Sequence, residues 1–329
     1  MSTAIRPHLS KIVLAPMEGV IDAAMRARLT KLGGYSRCVT EFIRVSDVLL
    51  PKRVFLRLCP ELAEGGVTAS GVPVYVQLLG SNPAALALNA QRAATLGAQG
   101  VDLNFGCPAK TVNKSKGGSV LLQEPERVAA IVAGVRDSMP ADIPLTVKIR
   151  IGYHDDQLLE QIVTGIWSAG ASELAIHART KFDGYKPPAY WASVHDVVRG
   201  KAKQLYINGE IWTVADSYNA IQQSGCQHLM LGRGALAAPD LADRIARDAL
   251  DQPPLAWERL VGEVEEQFFQ HDCSSPRHIG NRTKQWLAYL KRHYPEAVFL
   301  FARLRTLRDV PSIANAFVEH RQQDFCKAG

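Results

Sequence analysis

Cys107 stands where a short buried strand breaks. The run Gly100-Val101-Asp102-Leu103-Asn104-Phe105-Gly106-Cys107-Pro108-Ala109-Lys110 reads as a short buried strand over residues 101–105, stopped by Gly106 and Pro108. The thiol is thereby left on a turn at the strand's carboxyl end, where ligands of α/β folds bind. The stretch to residue 118 that follows, rich in lysine and glycine, reads as a mobile loop, so the cysteine is expected to be a reactive group. A free cysteine is most often a small buried hydrophobe; the turn and the other strand ends argue against that here.

Those other ends carry matching chemistry. Lys148 sits between Val147 and Ile149, and a lysine stays inside only where it meets an anion, such as a ligand that becomes anionic when reduced. His177 follows Leu174-Ala175-Ile176, where a satisfied core histidine is the simpler alternative. Gln77 is the one amide in Val74-Tyr75-Val76-Gln77-Leu78, and an amide both donates and accepts, which suits the edge of a pyrimidine-like ring. Asn208-Gly209-Glu210 and Gly232-Arg233-Gly234 are glycine-flanked, so backbone amides can approach an anion, and Arg233 adds a guanidinium suited to phosphate. No H-x-x-x-H spacing, Walker loop or Ser/His/Asp elbow is present, so no metal site is expected.

The elements that must bring these residues together alternate along the chain. Apolar runs at 11–17, 37–43, 73–79, 101–105, 145–151, 173–178, 204–207 and 229–231 read as strands covered on both faces. Amphipathic segments at 83–96, 124–138, 157–169, 213–224 and 239–250 read as helices between them. Eight such units predict a (β/α)8 TIM barrel over residues 1–252, whose strand ends converge on one mouth. A doubly wound sheet is the alternative, but Ala15-Pro16-Met17-Glu18-Gly19 after the first strand has no G-x-G-x-x-G. Gln252-Pro253-Pro254 marks a boundary. Beyond it, segments 257–270, 279–294 and 296–307 have helical spacing, so residues 253–329 are expected to form an all-α helical bundle.

Charge points to a partner. The 329-residue chain carries a formal +6, yet residues 277–308 hold eight basic side chains against Glu296 alone, with Trp286, Tyr289 and Tyr294 among them. Such a patch is a polyanion footprint. The six cysteines form no C-x-x-C pair, no apolar run is long enough to span a membrane and no signal peptide is apparent, so a cytoplasmic protein is expected.

In combination these motifs resemble the flavin-dependent tRNA-dihydrouridine synthases. The resemblance is carried by Leu14-Ala15-Pro16-Met17-Glu18-Gly19-Val20, Asp102-Leu103-Asn104-Phe105-Gly106-Cys107-Pro108, Val147-Lys148-Ile149-Arg150, Ile176-His177-Ala178-Arg179-Thr180, Asn208-Gly209-Glu210-Ile211 and Leu231-Gly232-Arg233-Gly234-Ala235. Thr40-Glu41-Phe42-Ile43-Arg44 and Arg282-Thr283-Lys284-Gln285-Trp286-Leu287 look like the synthase C subfamily, which acts on uridine 16 of the D-loop; Phe105 departs from it where a cysteine is familiar. The resemblance implies FMN as bound cofactor, with NADPH or NADH as reductant. It implies that Pro16, Met17 and Glu18 lie along FMN, that Gln77, Lys148 and His177 contact the isoalloxazine, and that Asn208, Gly209, Glu210, Gly232 and Arg233 hold the ribityl phosphate. Cys107 would be the general acid that protonates C5 after hydride reaches C6. Asn104 and Tyr185 would touch the flipped-out uridine or its neighbours. Arg44, Arg282, Lys284 and Arg305 would orient the tRNA, the expected partner of a monomer. The alternatives are the same chemistry at uridine 20, a small-molecule flavin reductase of the dihydroorotate-dehydrogenase kind, and a non-catalytic tRNA-binding module.

Overall fold

Among the described residues nine parallel strands close a barrel: β1 Lys11–Leu14, β2 Arg37–Val39, β3 Ile43–Arg44, β4 Val74–Leu79, β5 Val101–Phe105, β6 Leu145–Gly152, β7 Glu173–Thr180, β8 Leu205–Asn208 and β9 His228–Leu231. The computed structural model describes residues 11–198, 200, 204–273 and 278–325, with only the backbone at 323–325. Arg277 of the basic run and Cys326 lie outside the described residues. The strand order is β2-β1-β9-β8-β7-β6-β5-β4-β3, and a β2–β4 pairing completes the circle. The fold is the TIM barrel expected.

Two expected strands differ in extent. The first ends at Leu14: the Ala15 amide still donates to Leu231 O, but Pro16 has no N–H with which to continue the ladder. The second is split. Val39 lies opposite Tyr75 and Ile43 opposite Leu78, so four steps on this stave answer three on β4. The extra residue breaks the ladder, as a bulge does. It frees the Thr40 hydroxyl to accept the Gln77 amide at 3.0 Å and the Glu41 carboxylate to accept the Gly19 amide.

The amino-terminal end of the barrel is plugged rather than open. Arg37 lies between the rings of Tyr75 and Tyr206, 4.7 and 4.8 Å from their centroids, and pairs with Glu173, which also accepts from the Tyr206 hydroxyl at 3.0 Å. Burial alone would raise the Glu173 pKa, but the charge and hydrogen bonds of Arg37 outweigh it and hold the carboxyl below its ordinary 4.5. This contribution to stability is present above the ordinary glutamate range and is lost as pH falls through the depressed value. Among the described residues, Arg37→Met leaves the carboxylate with only Lys11, at 3.3 Å and exposed, as its ion-pair partner. The expected cost is roughly 3 kcal/mol, read by calorimetry as a drop of several degrees in the unfolding midpoint; an unchanged midpoint would show the plug to be dispensable.

The carboxyl-terminal region is helical, with Trp257–Gln267, Asn281–Leu290, Pro295–Leu304 and a further helix Val310–Phe325. The last lies inside the expected bundle but beyond the segments singled out as helices: its buried stripe Ile313, Ala316, Phe317 and His320 has helical spacing, but a histidine among apolar positions disguises it. That histidine accepts from Trp257 Nε1 at 3.0 Å. The helix expected over 239–250 is shorter, Leu241–Ala246, and another short helix, Arg233–Ala237, precedes it on the other side of Pro239. The tail docks on the barrel through buried Trp286, whose indole donates to Leu236 O at 3.2 Å, and through Arg28, which reaches Gln267, Glu263 and Gln270.

Candidate active site

The strand ends surround a cavity of about 510 Å³. Pro16, Met17, Glu18, Asn104, Cys107, Lys148, His177, Tyr185, Asn208, Gly209, Glu210, Gly232 and Arg233 all line it. Gln77, Arg44, Arg282, Lys284 and Arg305 do not.

Cys107 is half-buried, and its peptide is held at both ends. Its amide donates to Asn104 Oδ1 at 3.0 Å, while its carbonyl accepts from Asn113 Nδ2, Ser119 Oγ and Ser119 N at 2.8, 2.9 and 3.1 Å. The loose loop expected after it is folded instead, into a short helix Lys110–Lys114 and a 3-10 turn Gly118–Gln123. Gly118 sits at φ +66°, where a Cβ would come within 2.8 Å of the Cys107 carbonyl oxygen, so only glycine lets the turn approach this closely. Burial pushes the thiol above its ordinary value of 9.0 against the opposing charges of Arg150 and Arg44, so it is protonated at neutral pH.

The floor of the cavity is cationic. Lys148 is buried, and desolvation together with the charge of Arg150 pulls its pKa down to about 8; its ammonium donates to Asn208 Oδ1 at 3.1 Å. Arg150 reaches Gly106 O, Thr180 O and Gly184 O, each at 2.8 Å, and so ties the loops after β5 and β7 together. Lys148 and Arg150 alternate onto one face of β6, a signal already present in the strand's pattern. Burial and the charges of Arg150 and Lys148 hold His177 well below 6.5, hence neutral. Arg179 Nη1 lies 3.3 Å from His177 Nε2; a guanidinium only donates, so Nε2 accepts and the proton resides on Nδ1.

At the ends of β8 and β9 the backbone is bared. Gly209 has φ +115° and a Cβ there would meet His177 at 2.9 Å; at Gly232 it would meet Met17 Sδ at 3.6 Å. Glu210 occupies a left-handed conformation, φ +54°. Its carboxylate pairs with Arg179 at 2.6 Å and Arg233 at 2.8 Å and accepts from Trp212 Nε1 at 3.0 Å. Burial opposes ionisation, but these donors prevail and its pKa is lowered. An ionised carboxylate has no proton to offer a phosphate, so the Glu210 side chain orients Arg233 and does not itself hold an anion. The Asn208 amide is likewise engaged, accepting from Lys148 and donating to Met230 O at 2.7 Å.

Two expectations change in the fold. Gln77 is fully buried beneath the cavity, its amide bonded to Asp102 and Asn104. Lys284 is buried and donates to Leu307 O at 2.6 Å, so it is a tie within the tail and not a surface cation. Arg282 faces Asp22 at 3.6 Å, while Arg44 and Arg305 are exposed outside the cavity. Trp212 and Tyr289 line the cavity without having been singled out as site residues; Arg233 and the tail's Arg292 lie over the same Trp212 ring, at 5.1 and 3.9 Å. The apolar wall of Ala15, Met17 and Met230, the buried cations and the bared glycine amides fit a flat cofactor that bears a phosphate and takes up negative charge. Among the described residues no group of three His, Cys, Asp or Glu could hold a metal, and no helix is long and apolar enough to cross a membrane.

Known proteins resemble this chain in fold and, more closely, in sequence. A 2-naphthoyl-CoA reductase covers 73% of this chain and 50% of its own at TM-score 0.57 and 14% identity. A DHODH from Eimeria tenella covers 74% of this chain and 81% of its own at TM-score 0.51 and 14% identity. At such identities the likeness is one of fold alone. Sequence similarity reaches further. The chain is 50% identical to a tRNA-dihydrouridine(16) synthase of Pseudomonas putida over 97% of this chain and 100% of that one. It is 48% identical to one of Shewanella oneidensis over 92% and 96%. Residues 13–311 match the family model described as dihydrouridine synthase, and the chain belongs to the dihydrouridine synthase family.

Proposed function

We propose that this protein reduces the C5–C6 double bond of uridine 16 in the D-loop of tRNA, with FMN as its flavin and NADPH, or NADH, as reductant. The observation that carries the reading is a protonated thiol, Cys107, in one cavity with the buried Lys148 and the glycines Gly209 and Gly232. When bound, the reduced flavin supplies the hydride for C6 of the uracil. Cys107 then gives its proton to C5 of the resulting enolate and regains one from water. A thiol held above its ordinary value is an acid that remains loaded at neutral pH. Lys148 holds positive charge against the anionic ring. Gly209, Gly232 and Arg233 take the ribityl phosphate, and Pro16, Met17 and Glu18 border the ring. Tyr185, exposed at the mouth, offers a face on which a flipped-out base can stack. Arg44, Arg282 and Arg305 are the cations left to steer the tRNA backbone, with residues 253–329 as the tRNA-binding domain beside a catalytic barrel of 1–252. The substrate places the protein in the cytoplasm, and the chemistry requires no second copy.

The test is dihydrouridine mapping. Flavin-loaded protein, NADPH and unmodified tRNA are incubated, and the product is located by mass spectrometry of nuclease fragments. Dihydrouridine at position 16 alone is the expected result. Product at 20 would keep the chemistry and overturn the reading of the tail. Turnover of free pyrimidines without tRNA, or no product across several tRNAs, would overturn the function itself.

A further inference from the structure

We propose that Asp102, Gln77 and Asn104 form a polarised hydrogen-bond relay that positions Cys107, with Asp102 and Gln77 acting as positioning residues from beneath the cavity; the proposal rests on the reading of Cys107 as proton donor. The relay is continuous. Thr146 Oγ1 donates to Asp102 Oδ1 at 2.5 Å, and Gln77 Nε2 donates to Asp102 Oδ2 at 2.7 Å. Asn104 Nδ2 donates to Gln77 Oε1 at 2.8 Å, and Asn104 Oδ1 receives the amides of Gly106 and Cys107 at 2.9 and 3.0 Å. Asp102 is only 2% exposed and Gln77 is at 0%, and neither lines the cavity. The proposed reaction gives Asp102 no step, yet burying a carboxyl group is costly unless its bonds are made.

The direction of the donors supplies the reason. An amide has one donating and one accepting end, and packing alone scarcely distinguishes them. Asp102 accepts, so it draws Nε2 of Gln77 toward itself and turns Oε1 toward Asn104. That oxygen accepts in turn, so Asn104 must present Nδ2 to it and Oδ1 to the turn. Only this orientation offers an acceptor to the Gly106 and Cys107 amides. The carbonyl side of Cys107 is fastened locally, by Asn113 and Ser119. The amide side leads back through three strands, β5, β4 and β6, so the thiol's place is referred to the barrel wall rather than to its own loop.

Reversing the polarity tests this without changing volume. Asn104→Asp sets an acceptor against Gln77 Oε1 and is expected to slow dihydrouridine formation about 100-fold, the scale of a misplaced reacting group. Asp102→Asn keeps an acceptor for Gln77 and can donate to Thr146, and is expected to stay within about threefold of the native rate. In the double variant Gln77 can turn over and the relay runs backwards intact, so the rate is expected to recover at least about tenfold over Asn104→Asp alone. The carboxylate at 104 is common to the last two proteins, so its own field cancels between them. Absence of recovery, with the native protein active, overturns the relay. Should the 104 variant not fold, Gln77→Met breaks both bonds of the amide without altering charge. Iodoacetamide labelling of Cys107 in the flavin-loaded protein, followed by peptide mass spectrometry, is then expected to quicken at least about threefold; an unchanged rate overturns the proposal. A native protein that forms no dihydrouridine refutes the proposed function instead, and the labelling experiment still decides the relay.

Discussion

Cys107→Ala is expected to lower dihydrouridine formation by about 10²- to 10⁴-fold, the usual worth of a positioned general acid, while the flavin stays bound. The two effects separate because the thiol stands at the end of β5 whereas the bared amides and Arg233 stand at the ends of β8 and β9. The other cysteines among the described residues cannot substitute. Cys38 and Cys59 are buried with pKa values pushed up to about 12, and Cys226 to about 11, while Cys273 does not line the cavity. The pH dependence follows from the sign of the Cys107 shift. The acid works when protonated, and burial raises its pKa above 9.0, so the thiol-limited rate should be flat through neutrality and fall only in more alkaline solution. Product per tRNA is counted by mass spectrometry, with flavin absorbance as the control for occupancy. Turnover of the alanine variant within about threefold of native, or a thiol-limited fall beginning below pH 8, would remove Cys107 from the chemistry.

Lys148→Met is expected to cost function and add stability. The buried ammonium is pulled from 10.5 down to about 8, a folded-state cost of about 3 kcal/mol whenever both states are protonated. Removing it leaves Asn208 Oδ1 without that donor, worth about 1 kcal/mol. The flavin-free variant should therefore be more stable than native by about 2 kcal/mol at pH 7. Because the folded pKa lies below the unfolded one, the unfolded chain binds more protons between them. The native protein should thus gain stability as pH rises from about 8 toward 10.5, and the variant should lack that gain. Denaturant unfolding of flavin-free protein at pH 7 and pH 10 checks both. A variant less stable at pH 7, with an unchanged dependence on pH, would show that Lys148 is not strained by its burial. The strain is reasonable only if the charge serves a ligand, so the same substitution should weaken flavin retention.

The barrel was legible because its signals are local. Residues 101–105 alternate apolar Val101, Leu103 and Phe105 with Asp102 and Asn104, are flanked by breakers and are buried throughout, and they form β5 as read. The second strand was legible as a run but not as two pieces, because the extra residue is visible only against its neighbour β4. The final helix lies in the region read as helical but was not delimited there, because His320, polar in sequence, is matched by Trp257, which lies 63 positions away.

The site divides along the same line. From sequence alone the strand ends nominate Cys107, Lys148, His177, Gly209, Gly232 and Arg233, because a parallel barrel sends every carboxyl end to one mouth. What each side chain does there was settled by partners remote in sequence. Gln77 turns beneath the cavity toward Asp102 and Asn104, Glu210 gathers Arg179 and Arg233, and Lys284 spends its charge on the Leu307 carbonyl. Apolar periodicity is a property of consecutive residues and survives in one dimension. The partner of a polar group depends on the register in which the barrel closes, and a buried donor takes whichever acceptor that register sets within reach.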